Sequence, residues 1–284
     1  MRRTGHVETV LSILFSVFAL MLSGCETFED NFPGSSLSQD NFPPWDSPEP
    51  QRTAGQAPYR SGEEIAQPPS ADEQAVLASA KTLIGMAPES VVRVNDRTFV
   101  LDCIGTVSAI FYRMDIDVQR DFPRYRGDGV GRLYQSLKAQ NVLHWDLYPR
   151  AGDIIFWDNT WDANGDGILG NDPRTHAGVV LSVDADGTIH YVHEHIVKGV
   201  TVEAMNLLHP RDYYDPRGRI INSALAMNSG ISRRNNPPHW TSGDLWDSFG
   251  DILRVQDHFA VAAAPSGSDR PVEVHLAVKP PDQR

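Results

Sequence analysis

His176-Ala177-Gly178-Val179-Val180-Leu181-Ser182-Val183-Asp184-Ala185-Asp186-Gly187-Thr188-Ile189-His190-Tyr191-Val192-His193-Glu194-His195 holds two β-rich runs around a turn. Ala177–Val183 and Thr188–His195 read as paired strands, and Asp184-Ala185-Asp186-Gly187 is a good hairpin connection. A third apolar run, Asp153–Trp157, reads as a strand ahead of them. Upstream the period changes. Ser70 and Glu73 form a capping-box pattern, with Val76, Leu77, Ala80, Leu83 and Ile84 on one face and Gly85 as the stop. A second helix is predicted from Cys103 to Arg113 with Val107, Ile110 and Phe111 inward, and a third from about Gly131 to Gln140. Helices first and an antiparallel sheet after predict an α+β fold.

The chain of 284 residues has two cysteines, and each sits in a distinct setting. Arg2 and Arg3 precede an apolar run from Val10 to Leu22, the layout of an export signal and too short for a comfortable membrane span. The run closes on Leu22-Ser23-Gly24-Cys25, which resembles the bacterial lipobox, so Cys25 is the expected lipidation site. Glu26 rather than Asp follows it, which by resemblance to Gram-negative lipoproteins favours the periplasmic face of the outer membrane. Residues 1–24 are thus read as a signal peptide and 25–70 as a disordered tether rich in Pro, Ser, Asp and Gln. A domain over 71–258 and a disordered tail over 259–284 complete the organisation. The domain is long enough for one good core, and a monomer is expected.

The formal net charge is −12, and residues 26–70 carry eight acidic and two basic side chains. No basic patch stands out, which argues against a nucleic-acid partner. Lipidation of Cys25 leaves Cys103 without an intramolecular partner, so no disulfide framework is expected.

Cys103 stands in Leu101-Asp102-Cys103-Ile104-Gly105. Asp102 fits an N-cap, which puts the thiol in the first turn of the helix. There the helix dipole favours a thiolate, and unsatisfied backbone N–H groups can hold an oxyanion. A nucleophile so placed needs a base, normally histidine. The same segment also fits a small buried hydrophobe packing with Val107.

Further motifs follow in order. Pro149-Arg150-Ala151-Gly152-Asp153 leads into Ile154-Ile155-Phe156-Trp157. His176-Ala177-Gly178-Val179 opens the next strand, and Tyr191-Val192-His193 lies on the one after. With Asp102-Cys103-Ile104-Gly105 and Phe111-Tyr112-Arg113-Met114-Asp115-Ile116, this set resembles the NlpC-type cell-wall cysteine peptidases, a papain-like family, over roughly residues 72–196. The resemblance implies a papain-like arrangement, with nucleophile-bearing helices packed on an antiparallel sheet. It implies Cys103 as nucleophile, His176 as general base and His193 as orienter of the base, with His195 the second choice, and a role for Asp102 in substrate binding. It further implies hydrolysis of amide bonds in peptidoglycan stem peptides, with peptidoglycan as partner and no catalytic cofactor. Amidase or acyl-transfer chemistry with the same pair, or a non-catalytic wall-binding lipoprotein, are the alternatives. Ile104 stands where the family has serine, and Gly85-Met86-Ala87-Pro88 stands where it has a tyrosine-bearing segment. The Cys103-to-His176 interval, 73 residues, is long for the family.

An insertion accounts for that length. Asp162-Ala163-Asn164-Gly165-Asp166-Gly167-Ile168 has the first half of an EF-hand calcium loop. Asp162, Asn164, Asp166, the carbonyl of Ile168 and Asp172 are the candidate ligands of a structural calcium ion, Pro173 standing where the bidentate glutamate would be. A zinc site drawn from Cys103, His176, His190, His193 and His195 is the weaker metal reading, because strand alternation puts His190 and His193 on opposite faces. Residues 222–255, with Arg233, Arg234, Trp240 and Trp246, could stack on glycan or simply pack as a C-terminal extension, and no site is assigned there.

Overall fold

A computed structural model describes residues 68–168, 170–225 and 239–261. Cys25, the expected signal and almost all of the expected tether lie outside the described residues, as do Arg233, Arg234 and residues 262–284.

The first helix, α1 (Ala71–Lys81), begins as its capping box dictates. Ser70 Oγ accepts from the Glu73 N–H (3.2 Å), and Glu73 Oε2 accepts from the Ser70 N–H (2.6 Å). Val76, Ala80 and Leu83 are buried, whereas Ile84 turns outward. A hairpin follows, β1 (Val91–Val94) with β2 (Arg97–Val100). The chain then enters α2 (Cys103–Tyr112), which is buried from Ile104 to its end. A third helix, α3 (Gly129–Ala139), is capped by Asp128, whose Oδ1 accepts from the Gly131 N–H at 2.7 Å.

The remaining strands form one antiparallel sheet. They are β3 (Leu143–His144), β4 (Ile154–Trp157), β5 (His176–Val183), β6 (Thr188–His195), β7 (Gly199–Asn206) and β8 (Trp246–Gly250). Their order is β3-β8-β4-β5-β6-β7, with every pairing antiparallel. The predicted α+β class is present. Residues 222–255, for which a C-terminal extension was one reading, supply β8, which lies between β3 and β4, and β7 is a further strand that the sequence did not predict. The ordered chain also runs past 258, because Phe259 is fully buried and Val261 N–H donates to the Asp115 carbonyl.

The sheet divides two cores. On one face Ile154, Phe156, Ala177, Val179 and Val192 meet the three helices and β1–β2. On the other Ile155, Trp157, Val180, Ile189, Tyr191, Met205 and Phe249 meet Leu225 and Leu245. The alternation of side chains along a strand therefore assigns a face to each site residue.

Candidate active site

The frame of the site begins at Gly105. Its ideal Cβ would stand 1.7 Å from the Val100 carbonyl oxygen, so only glycine lets α2 start this close to the end of β2. Asp102 caps the helix, its Oδ1 accepting from the Gly105 N–H at 2.6 Å. This is the part that the structure gives Asp102. Ile104 packs against Gly129 of α3, where a serine would leave that contact empty.

Cys103 keeps some residue surface, but its sulfur is closed in. Burial pushes the thiol up to about 12, Asp102 and Glu194 add to it, and the backbone N–H groups of Ile104 and Ala177 act against it. The lowered thiol pKa expected from the helix dipole is therefore overturned: desolvation and two neighbouring carboxylates outweigh the first-turn field. The Ala177 N–H places the sulfur against the start of β5, one residue from His176. Among the described residues no hydrogen bond joins Cys103 to His176.

The histidines are assembled as strand register requires. His176 Nε2 lies 2.8 Å from His193 Nδ1, with the two rings perpendicular. Trp157 flanks His176, its ring centroid 5.6 Å away, and is itself held by a hydrogen bond from Nε1 to the Ser242 carbonyl. His176 is held well below the ordinary histidine value by burial first and by His193 next, so its resting ring is neutral. Its Nδ1 makes no hydrogen bond among the described residues. His195 continues the aromatic row on β6, its ring centroid 6.1 Å from that of His193, and among the described residues it makes no hydrogen bond to His176.

Glu203 was missed by sequence reasoning. On β7 it pairs with Tyr191 while Thr201 pairs with His193, so Glu203 shares the face of both. Its Oε2 stands 3.2 Å from His193 Nε2, and its Oε1 accepts from Lys198 Nζ at 2.9 Å. The available signal was an acid set between Val202 and Ala204-Met205. Burial raises the Glu203 carboxyl, but His193 and Lys198 prevail and hold it at about 2. On the opposite face Glu194 is pushed up to about 7 by burial, Asp102 and Glu89.

The Gly152-Asp153 turn is structural. Gly152 has φ +93°, and Asp153 Oδ2 accepts from the Arg150 N–H at 2.6 Å. Gly85–Pro88, where the family's tyrosine segment would stand, lies along β7: Gly85 N–H donates to the Val200 carbonyl and Val200 N–H to that of Met86.

The insertion is tied off at its base, where Asn159 and Asp172 exchange hydrogen bonds and Thr160 meets Thr175. Its length therefore leaves the start of β5 in place. The candidate calcium ligands turn toward the loop's own backbone: Asp162 accepts from Gly165 and Gly167, Asn164 from Asp166, and Asp166 from Ile168. Asp172 Oδ1 accepts from Ala163 and Asn164, while its Oδ2 is buried with no hydrogen-bond partner among the described residues. Among the described residues no three His, Cys, Asp or Glu side chains are grouped to hold a metal ion. His190, of the zinc reading, pairs with Asp184 (3.0 Å) on the other face of β6.

No protein-family model, curated protein or solved structure matches this chain.

Proposed function

We propose that this protein is a lipid-anchored cysteine hydrolase of the bacterial cell envelope that cleaves amide bonds in peptidoglycan stem peptides. The single observation that carries the reading is the pairing of His176 with the buried His193, 2.8 Å apart and one residue along the backbone from the Cys103 sulfur contact. A histidine whose far nitrogen is held by a second buried ring, beside a lone thiol at a helix start, is the arrangement that nucleophile activation needs. The substrate rests on the motif resemblance alone, and the anchor on the Cys25 box.

The resting pair is neutral thiol and neutral imidazole, so proton transfer accompanies attack. His176 Nδ1 takes the thiol proton as the sulfur adds to the amide carbon. The oxyanion is met by the first turn of α2, where Asp102 has taken the Gly105 N–H and, among the described residues, no acceptor takes that of Cys103. The carbon–nitrogen bond then breaks, and the imidazolium proton leaves with the amine. Water, deprotonated by His176, adds to the thioester, and the carbon–sulfur bond breaks to return the thiol. Burial of the site strengthens each of these interactions.

Incubation with purified peptidoglycan tests the reading. Wild type should release soluble fragments, and Cys103→Ala and His176→Ala should release none. Equal release by Cys103→Ala would remove Cys103 from the mechanism.

A further inference from the structure

We infer that Glu203 is a positioning residue that sets the tautomers of His193 and His176 in series, so that the lone pair of the base is left on Nδ1. The inference rests on the proposed role of His176 as base. Glu203 is 8 % exposed, and its Oε2 and His193 Nε2, two buried atoms with no other hydrogen-bond partner among the described residues, face each other as an ion pair at 3.2 Å. An ionised carboxylate has no proton to give, so His193 Nε2 must carry one. With that one N–H on the His193 ring, its Nδ1 is left as an acceptor. His176 Nε2, 2.8 Å away, must then be the donor. That places the one proton of neutral His176 on Nε2 and leaves Nδ1 free to take the thiol proton. Each assignment follows from the one before, and the chain starts at Glu203.

Lys198 secures the starting point, since its Nζ donates to the other carboxylate oxygen, Oε1. Further titratable groups that feel the Glu203 charge include Tyr191 and His195 on β6 and His176 on β5. Tyr191 is buried, its hydroxyl facing the same carboxylate from within the core. The carboxyl is held ionised well below neutral pH by His193 and Lys198 despite its burial.

Glu203→Gln inverts the logic at nearly constant shape. Lys198 donates to the amide oxygen, which turns the NH2 group toward His193 Nε2. That nitrogen must then accept, the proton moves to His193 Nδ1, and His176 Nε2 becomes the acceptor. The proton of His176 is thereby transferred to Nδ1, the position needed for catalysis.

Long-range proton–nitrogen correlation spectra of the full chain, labelled with nitrogen-15 histidine, read these tautomers directly at neutral pH. In wild type both His176 and His193 should carry the proton on Nε2. In Glu203→Gln both should switch to Nδ1, with kcat on peptidoglycan lower by on the order of 10³-fold, KM little changed, and Glu203→Asp partly rescuing. A wild-type His176 protonated on Nδ1 overturns the inference, and this arm needs no variant to fold. So does a folded Glu203→Gln whose two tautomers stay as in wild type. If the tautomers switch but wild type never cleaves peptidoglycan, the relay stands and the hydrolase reading fails. If wild type cleaves and Glu203→Gln cleaves equally well, the hydrolase reading stands and the positioning role fails.

Discussion

At the scale of single residues, burial decides how Cys103 behaves. The helix start was legible in Asp102-Cys103-Ile104-Gly105, and the cap and the helix formed as read. The sulfur's desolvation was not legible, because it comes from β5 and from Glu194, distant in sequence. The consequence is measurable. Iodoacetamide should alkylate Cys103 of the free protein slowly at pH 7, at a rate that climbs only in strongly alkaline solution, as befits a thiol pushed up to about 12. Rapid alkylation with a midpoint below the ordinary cysteine value of about 8.5 would contradict the closed resting site. Gly105 is equally specific. A methyl group there meets the Val100 carbonyl oxygen, part of the backbone, which cannot swing aside. Gly105→Ala should cost about 3 kcal/mol, the upper end of overpacking, measured by denaturant unfolding. A cost under about 1 kcal/mol would mean that the α2–β2 junction yields more readily than its geometry implies.

At the scale of elements, the strands with an apolar run and a turn signal were readable, and those without were not. The hairpin of β5 and β6 stood out because Asp184–Gly187 marks its turn and both strands are long. By contrast β1 and β2 have four residues each, and β3 has two. Their stability comes from partners rather than from their own pattern. Glu203 went unread for the same reason: its meaning depends on the register of β7 against β6, which no local signal gives.

His144 shows how such distant partners act. On β3 it stacks on Phe249 of β8, 5.4 Å away, and its Nε2 lies 3.3 Å from Asp153, just before β4. Burial lowers its pKa, yet Asp153 and Asp146 outweigh burial and raise it to about 10. A histidine whose folded value is raised stabilises fully below its unfolded value, near 6.5. That stabilisation is lost as pH climbs toward 10, by up to about 1.4 kcal/mol per pH unit. Unfolding free energy should therefore fall between pH 6.5 and 10, and His144→Gln should flatten the slope across that window. A variant as steep as wild type would assign the loss to other groups, such as Cys103, whose raised thiol acts in the same direction at higher pH.

At the scale of the molecule, the end of the described chain completes the sheet that carries the site. β8 lies between β3 and β4, and Ser242 holds the Trp157 ring that flanks His176. The α+β class was legible from the order of helical and alternating patterns, whereas this return of the chain into the sheet was not, since Trp246–Gly250 holds Asp247 and Ser248 at its centre and forms no apolar run. The sheet also separates the two halves of the proposed site. Cys103 packs on the helical side, and His176, His193 and Glu203 share the other, so the thiol reaches this half of the site only through its backbone contact at Ala177, next to His176. The central claim is that these two halves act as one hydrolase. Mass spectrometry of muropeptides after digestion by wild type and by Cys103→Ala tests it most directly. The account predicts that wild type yields stem-peptide fragments heavier by one water than the segments they derive from, and that Cys103→Ala yields none. Identical fragment sets from the two proteins, or no fragments from either, would contradict it.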